Sequence, residues 1–451
     1  MPFNKSPNFP FPLKVILTQL FLLNFSFNKL IRLPFNYRTP ENSDEISFIK
    51  SLLHDHLFVV NEMGTPKQRV EFSLSSEYYD FLVESHNVDS SFYDETASRS
   101  FVNITKEKSY FVDVISKGYQ ANETFYFYSG INSKEKTKFD AITFLFGTEI
   151  NTKVSGTIGL QITKTIYPNA PSFFQSLKNN DIISKYIWNL NYTTNELIVG
   201  EYPHEYDKGN YNEYFLKRTN AIARGTNLYW DLLFTDIMFG DIKINRQRQA
   251  SISPELGVIV GTHELHNYLK ENFFSDLGTK CEEKEYEKYV YYVCDGNTDV
   301  NQFKNITFVH QELGFNFTLT KEDLFSNFNN KKYLLVFFDN EYISYRWRLG
   351  KPFLRKFNLI FDQTNKLLLY YVNDGSYSAP GYSVFSIVVI VVLLAGVITL
   401  GVLIGKQLIL KQKKIRANEL QDEFSYKKQG EIDENKENAL LNTTEDSINS
   451  N

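Results

Sequence analysis

Residues 64–83 read GTPKQRVEFSLSSEYYDFLV. The Gly-Thr-Pro turn at residues 64–66 closes one strand and leads into the next, because glycine and proline mark turns between extended segments. The next strand, Arg69–Leu74, has an apolar residue at every second position and ends in the polar loop at residues 75–77. An apolar stretch then resumes at residues 81–83. This pattern predicts two strands joined by a tight turn, with a loop at the end of the second strand.

The region from about residue 55 to residue 373 also has the composition of strands joined by turns. It is rich in β-branched and aromatic residues, and the chain as a whole contains 39 Phe and 29 Tyr. Such runs favour strands, whereas the helical stretches are short. The composition therefore predicts an all-β region with runs at Leu57–Val60, Phe111–Ile115, Phe125–Tyr128, Leu232–Phe234, Tyr289–Val293, Tyr333–Phe338 and Leu367–Val372, and helices at Pro171–Asn179 and His263–Phe274.

Charge and cysteine content exclude several classes of protein. The 48 basic residues are balanced by 53 acidic ones, for a net charge of -5, so a basic nucleic-acid surface is not predicted. Two cysteines are too few for a disulfide-stapled mini-protein or a cysteine zinc cluster. The pair His263 and His266 is one residue too close for the i, i+4 spacing of a zinc-binding helix. The sequence predicts no metal and no cofactor.

The amino terminus resembles a secretion signal. Lys5 and Lys14 precede an apolar run from Val15 to Phe27 that is too short to cross a bilayer but suits the core of a signal peptide. Residues 1–27 are therefore predicted to be a signal peptide, followed by a short amino-terminal segment at residues 28–54. An uncleaved anchor or a buried segment is the alternative.

A second hydrophobic segment, Ser383–Gly405, carries no charge across 23 residues and predicts a transmembrane helix. Basic residues follow it at once, which places the carboxyl terminus in the cytosol and everything before residue 383 in the lumen or outside the cell. The polar tail at residues 406–451 is predicted to be disordered. A buried core helix is the alternative for the hydrophobic segment.

This topology bears on two kinds of modification. Five Asn-X-Ser/Thr triplets lie between the predicted signal peptide and the predicted span and are candidate glycosylation sites, at Asn103, Asn122, Asn191, Asn305 and Asn316. Cys281 and Cys294 lie on the same side, in an oxidising compartment. A disulfide that closes this short loop is predicted, with two free thiols as the alternative.

Four landmarks, taken in order, closely resemble the pepsin-like aspartic proteases. The resemblance implies an all-β, bilobal fold, with an amino-terminal lobe at residues 55–195 and a carboxyl-terminal lobe at residues 196–375. It also places Cys281 and Cys294 where the second lobe usually carries a disulfide. The landmarks are the turn Gly64–Gln68, the segment Val154–Leu160, the strand Leu228–Leu232 with Ile237–Gly240, and the strand pair Trp347–Phe357 with Leu359–Asp362.

The chemistry of that family is missing from the matched positions. Its mechanism needs one aspartate from each lobe, and the two share a proton around a water molecule. Each aspartate belongs to an Asp-Thr-Gly or Asp-Ser-Gly triplet, and this chain contains neither triplet. The aligned positions hold Ser75 and Ser253, and a serine hydroxyl has no accessible anion near neutral or acid pH. No catalytic residue is therefore expected at these positions.

Two neighbouring features refine this prediction. Glu77 and Glu255 each follow the serine by two residues, so they are candidates for a surrogate carboxylate pair. In the family, a hydroxyl after each aspartate bonds to the opposite loop. Ser76 retains such a hydroxyl, whereas Pro254 has neither a hydroxyl nor an N–H group.

The sequence thus predicts a non-catalytic, single-pass membrane glycoprotein that binds peptides or proteins in the endomembrane system or at the cell surface. An active membrane-bound aspartic endopeptidase with an atypical pair of carboxylates is the main alternative. A receptor that signals through its cytosolic tail is a third possibility.

Overall fold

The computed structural model describes residues 29–54, 56–84, 93–106, 108–109, 115–150, 156–162, 171–224, 227–340, 346–372 and 401–428. The chain divides into two units, residues 1–373 and residues 374–451. The predicted signal peptide at residues 1–27 lies outside the described residues.

The first unit is built mainly from β-strands. Within the described residues, a 14-stranded sheet has the order β12-β27-β26-β10-β11-β1-β2-β3-β9-β4-β8-β7-β5, with β6 also paired to β7. Its strands are β1 Ile31–Tyr37, β2 Leu57–Met63, β3 Gln68–Ser75, β4 Phe81–Glu84, β5 Val102–Asn103, β6 Lys108–Ser109, β7 Ile115–Ser129, β8 Lys136–Ile150, β9 Gly156–Gly159, β10 Ile187–Asn191, β11 Glu196–Val199, β12 Leu216–Asn220, β26 Ile360–Asp362 and β27 Leu367–Tyr371.

A second sheet of 11 described strands has the order β21-β20-β15-β16-β25-β17-β24-β19-β23-β22, with β18 paired to β19. Its strands are β15 Asp231–Phe239, β16 Ile242–Ile252, β17 Ile259–Gly261, β18 Cys281–Tyr286, β19 Tyr289–Asp295, β20 Ile306–His310, β21 Phe315–Leu319, β22 Phe325–Phe328, β23 Lys331–Leu334, β24 Val336–Asp339 and β25 Trp347–Leu349. A separate hairpin consists of β13 Ile222–Arg224 and β14 Asn227–Tyr229.

The helices of the first unit are short, as predicted. The helix predicted at Pro171–Asn179 is present as α2, and the one predicted at His263–Phe274 is present as α4 with its π-helical continuation. The described α-helices are α1 Glu45–Leu53, α2 Phe173–Asn179, α3 Pro203–Tyr206, α4 His263–Leu269, α5 Ser275–Leu277, α6 Lys321–Leu324 and α7 Lys351–Lys356, with a π-helical turn at Lys270–Phe274 and 3-10 turns at Glu95–Ala97, Glu213–Phe215 and Gly278–Lys280.

The two sheets contain the same four-strand pattern. In the first sheet, β3 pairs with β9 in parallel, β9 with β4 antiparallel, and β4 with β8 in parallel. In the second sheet, β16, β25, β17 and β24 repeat this sequence of parallel, antiparallel and parallel pairs. This repetition gives the mostly β fold the bilobal organisation that the sequence predicts.

A shared apolar core joins the lobes. Trp188 stacks on Phe361 with ring centroids 3.8 Å apart, and Trp230 packs edge-on against both rings. Trp188 and Phe361 lie in the first sheet, whereas Trp230 immediately precedes β15 of the second. Large aromatic side chains contribute most of the buried area in such contacts, so this cluster fixes one lobe against the other.

The strand pairing differs from the predicted segment boundaries in two places. The short amino-terminal segment predicted at residues 28–54 contains β1, which pairs with both β2 and β11 inside the first sheet. The boundary at residues 195 and 196 falls within the β10–β11 hairpin, which belongs wholly to the first sheet. Sequence order suggested two consecutive lobes, but strand pairing returns β26 and β27 at the end of the unit to the first sheet.

The second unit contains one described helix, at residues 401–428. The prediction of disorder from residue 406 is therefore wrong for residues 406–428. These residues contain no Gly or Pro and are rich in Leu, Lys, Gln and Glu, whose helix propensity is high. Residues 383–400 of the predicted transmembrane segment lie outside the described residues, and no helix among the described ones has both the length and the apolarity to cross a membrane.

The predicted disulfide is present between Cys281 and Cys294. The two cysteines lie directly opposite each other at one end of the β18–β19 hairpin. The hairpin brings them together across a sequence separation of 13 residues.

Candidate functional site

The two serines occupy equivalent places in the repeated strand pattern. Ser75 ends β3, and its carbonyl oxygen accepts a hydrogen bond from the Leu160 N–H at 2.8 Å. Ser253 directly follows β16 and donates its N–H to the carbonyl oxygen of Leu349 at 3.0 Å. Both serines are buried, with 8% and 2% of their surface exposed. Each lobe therefore contributes one serine-bearing loop to the same cleft.

A glycine beneath each loop supports this equivalence. A Cβ atom on Gly159 would lie 2.6 Å from the carbonyl oxygen of Tyr78, in the loop after Ser75. A Cβ atom on Gly350 would lie 2.4 Å from the carbonyl oxygen of Leu256, in the loop after Ser253. Each loop therefore packs so closely against a glycine that a side chain at that position would clash with the loop backbone.

Glu255 reaches from the second loop to the first. Its carboxylate accepts hydrogen bonds from the Ser76 N–H at 3.3 Å and from the Ser76 hydroxyl at 3.2 Å. The hydroxyl of Ser76 therefore does cross to the opposite loop, although its acceptor is a side-chain carboxylate. Glu255 therefore connects the two serine loops.

Arg348 lies between the two glutamates. Its Nη2 atom is 3.3 Å from Oε1 of Glu77 and 3.5 Å from Oε1 of Glu255. Its Nη1 atom donates to the hydroxyl of Tyr289 at 3.2 Å. The side chain of Glu77 is 62% exposed, whereas those of Arg348 and Glu255 are 27% and 14% exposed. The structure thus brings the two predicted surrogate carboxylates to one guanidinium.

The electrostatics of the cluster follow from burial. Desolvation raises the pKa of Glu255 above its usual value; the Arg348 charge opposes this shift and the Glu77 charge adds to it. Burial is the largest single influence on the pKa of Arg348 and would lower it, but the neighbouring Glu255, Tyr289 and Glu77 together outweigh burial, and the pKa is raised. Arginine keeps its proton under these conditions, so a fixed positive charge stands between the two carboxyl groups.

Sequence reasoning missed Arg348, although a signal was present. The residue lies inside the landmark Trp347–Phe357, on strand β25 between the buried residues Trp347 and Leu349. A charged residue between two buried apolar ones is seldom tolerated without a partner. In the parallel pairing of β16 and β25, Arg348 lies opposite Ser251, two residues before Ser253. That register explains how its side chain reaches the cleft.

A cavity of about 230 Å³ opens beside the serine loops. Its lining combines hydroxyl groups, aromatic rings and charges of both signs, so it suits a polar ligand. The lining residues are Ser76, Glu77, Tyr229, Trp230, Asp231, Ser251, Ile252, Ser253, Arg346 and Arg348.

The candidate glycosylation sites differ in their surroundings. Asn103, Asn305 and Asn316 are exposed. Asn122 is partly buried, and its Oδ1 atom accepts a hydrogen bond from the Thr143 hydroxyl at 2.7 Å. Asn191 is also partly buried, and its Oδ1 atom accepts the N–H of Thr193 at 3.0 Å.

Among the residues that the structure describes, no group of three or more His, Cys, Asp or Glu is arranged to hold a metal ion. The histidine pair noted in the sequence is also unsuited to bind a metal ion. The rings of His263 and His266 are 6.0 Å apart, and the ring of His266 stacks on that of Phe338 at 4.6 Å.

Comparison with known proteins identifies the family. The family model of the eukaryotic aspartyl proteases matches residues 61–369, well over half of the chain. The chain therefore belongs to the eukaryotic aspartyl protease family. Among solved structures it is similar to conglutin gamma, a basic 7S globulin from lupine seeds, with a TM-score of 0.55 and 12% identity over 76% of this chain and 95% of that one. At that identity the likeness shows the fold alone. No curated protein matches the chain.

Proposed function

We propose that this chain is a catalytically inactive member of its family whose cleft binds peptides or proteins. One observation carries the proposal: the guanidinium of Arg348 contacts both carboxylates that flank the serines. The family mechanism needs two carboxyl groups that exchange a proton through a water between them. A permanent cation at that place contacts both carboxyl groups, and neither serine can replace them as acid or base.

The proposed setting is a single-pass membrane glycoprotein with its folded domain in the lumen or outside the cell. The uncharged segment Ser383–Gly405 and the basic residues after it support this topology. The disulfide between Cys281 and Cys294 fits an oxidising compartment. The exposure of three of the five candidate glycosylation sites agrees with it. We place the protein in the endomembrane system or at the cell surface.

Peptide binding is tested by capture. Purified full-length protein is incubated with a mixed peptide pool, and the retained peptides are identified by mass spectrometry. Tyr229 lines the cavity, so Tyr229→Ala should reduce retention at least fivefold. Tyr214 is 91% exposed and does not line the cavity, so Tyr214→Ala serves as the matched control. Equal retention by both variants would contradict binding in this cavity.

The alternative, an active endopeptidase, has one specific observation in its favour. Glu77 and Glu255 do meet at a common point, and burial raises the pKa of Glu255, as a general acid requires. This alternative predicts peptide cleavage that either Glu77→Gln or Glu255→Gln abolishes.

A further inference from the structure

A segment of the chain passes from one lobe to the other and back. Residues 38–56, all described except residue 55, leave the first sheet after β1, form helix α1, and return to the first sheet at β2. We call these residues the strap. Its helix packs on the second lobe, where the ring of Phe48 stacks on that of Phe328 at 4.4 Å. Glu45 anchors the start of the helix by accepting hydrogen bonds from Lys284 at 3.0 Å and Tyr291 at 2.8 Å.

The strap uses the backbone groups of the second serine loop. The carbonyl oxygen of Leu52 accepts the N–H of Gly257 at 2.7 Å, and the N–H of His56 donates to the carbonyl oxygen of Glu255 at 3.0 Å. A Cβ atom on Gly257 would lie 2.7 Å from Leu52 and 3.0 Å from the His56 ring. The strap therefore packs directly against residues 255–257. No second chain fits between the strap and this loop.

An extended ligand would pair with backbone groups of this kind. A peptide that lies in a cleft as an added strand gains its affinity from backbone N–H and C=O pairs. On the second loop, two such groups are already paired with the strap. Among the described residues, none from the strap lines the cavity beside the serine loops, which measures about 230 Å³. This volume lies below the roughly 300–1,000 Å³ of ordinary ligand sites.

We propose that the strap is a built-in ligand: Leu52 and His56 fill the side of the cleft formed by residues 255–257, and the open cavity admits only the terminal one or two residues of a peptide. This inference rests on the proposed function for the identity of the outside ligand. The occupation of the cleft by the strap does not depend on it.

Hydrogen exchange tests the occupation directly. In full-length protein, the Gly257 amide should exchange slowly, and Phe48→Ala should speed its exchange at least tenfold while leaving the Leu160 amide of the first lobe unchanged. Ile46 lies on the exposed face of the same helix, so Ile46→Ala should change neither amide. If Phe48→Ala fails to fold, Glu45→Gln weakens the same docking more gently. Fast exchange of Gly257 in the unmodified protein, or no effect of a folded strap variant, would overturn the proposal.

Peptides of different lengths test whether the cavity admits only the end of a chain. Peptides of two, four and eight residues that share one end should bind the unmodified protein with affinities within threefold of each other. In Phe48→Ala the longest should gain at least tenfold. A gain with length in the unmodified protein would overturn the claim that the cavity admits only a chain end. If no peptide binds either protein, the proposed function fails, whereas the exchange result still decides the position of the strap.

Discussion

Two features determine the character of the cleft. Ser75 and Ser253 stand where the family motif has aspartates, and Arg348 on β25 supplies a cation that contacts Glu77 and Glu255. The second feature matters more for the proposed function. Without Arg348, Glu77 and Glu255 would be two carboxyl groups facing each other across the cleft, which is the arrangement from which acid–base catalysis arises.

Arg348 should therefore contribute to stability, and Glu77 should not. Arg348→Met leaves the buried carboxylate of Glu255 without its cation, so we expect a loss of about 2 kcal/mol at pH 7, below the range for a fully buried pair. The loss should shrink as the pH falls, because Glu255 then takes up a proton. Glu77→Gln breaks an exposed pair and should change stability by less than about 0.5 kcal/mol. Urea unfolding of both variants measures the difference; equal losses would contradict the burial argument.

His56 should make the fold sensitive to acid. Burial, assisted by the charge of Lys351, lowers the pKa of His56 to about 4. The unfolded histidine titrates near pH 6.5, so the unfolded state binds more protons between these values and stability is lost as the pH falls from about 6.5 toward 4. Between pH 7 and pH 4.5, His56→Gln should lose roughly 2 kcal/mol less than the unmodified protein. Urea midpoints at the two pH values test this, and parallel pH profiles would show that His56 does not titrate as described.

At the scale of elements, the β18–β19 hairpin supports both the disulfide and the strap. Lys284 on β18 donates to Glu45 of the strap helix, and Tyr291 on β19 donates to the same carboxylate. The hairpin thus connects a covalent constraint to the segment that fills the cleft.

Removal of this disulfide should weaken the whole unit. Closing a loop of this length stabilises a fold by about 3 kcal/mol in the chain-entropy account. The double variant Cys281→Ser, Cys294→Ser should lose about that much in urea unfolding without reductant. Adding reductant should bring the unmodified protein to the same midpoint and leave the double variant unchanged. If reductant does not change the urea midpoint of the unmodified protein, the disulfide does not contribute to its stability.

The elements that the sequence predicts well are those with a local signal. Runs such as Leu57–Val60 and Tyr289–Val293 combine β-branched and aromatic residues, and both lie in strands, β2 and β19. The strap helix was missed because its docking depends on contacts such as Phe48 with Phe328, which are remote in sequence. The helix at 401–428 was missed because composition pointed to disorder while residue-by-residue propensity favours a helix.

The candidate site likewise contains residues that the sequence predicts and one that it does not. The positions of Ser75 and Ser253 follow from motifs in the sequence, and the strand pairing places them in equivalent loops. The bridging role of Arg348 follows from the parallel register of β16 with β25, in which Arg348 lies opposite Ser251. No local pattern contains that register, because the two strands are joined only through the rest of the second lobe.

At the scale of the whole molecule, the proposed topology predicts which asparagines carry glycans. Asn103, Asn305 and Asn316 are exposed and should be modified in protein made by a secretory cell. Asn122 should remain bare, because its side chain is hydrogen-bonded within the sheet and its triplet residue Thr124 is 1% exposed. Enzymatic deglycosylation in heavy-oxygen water, followed by mass spectrometry, shows which asparagines carried a glycan. A glycan at Asn122, or none at the three exposed sites, would contradict this prediction.

The central claim is that this pepsin-like cleft cannot hydrolyse peptides. It is tested most directly by incubating purified full-length protein with a mixed peptide pool between about pH 2 and pH 7, the range in which carboxyl pairs act, and following cleavage by mass spectrometry. Glu77→Gln and Glu255→Gln are assayed in parallel, so that a contaminating protease is recognised by its indifference to them. We predict no cleavage at any pH that depends on these residues. Cleavage by the unmodified protein that either variant abolishes would contradict the account and establish the two glutamates as a working pair.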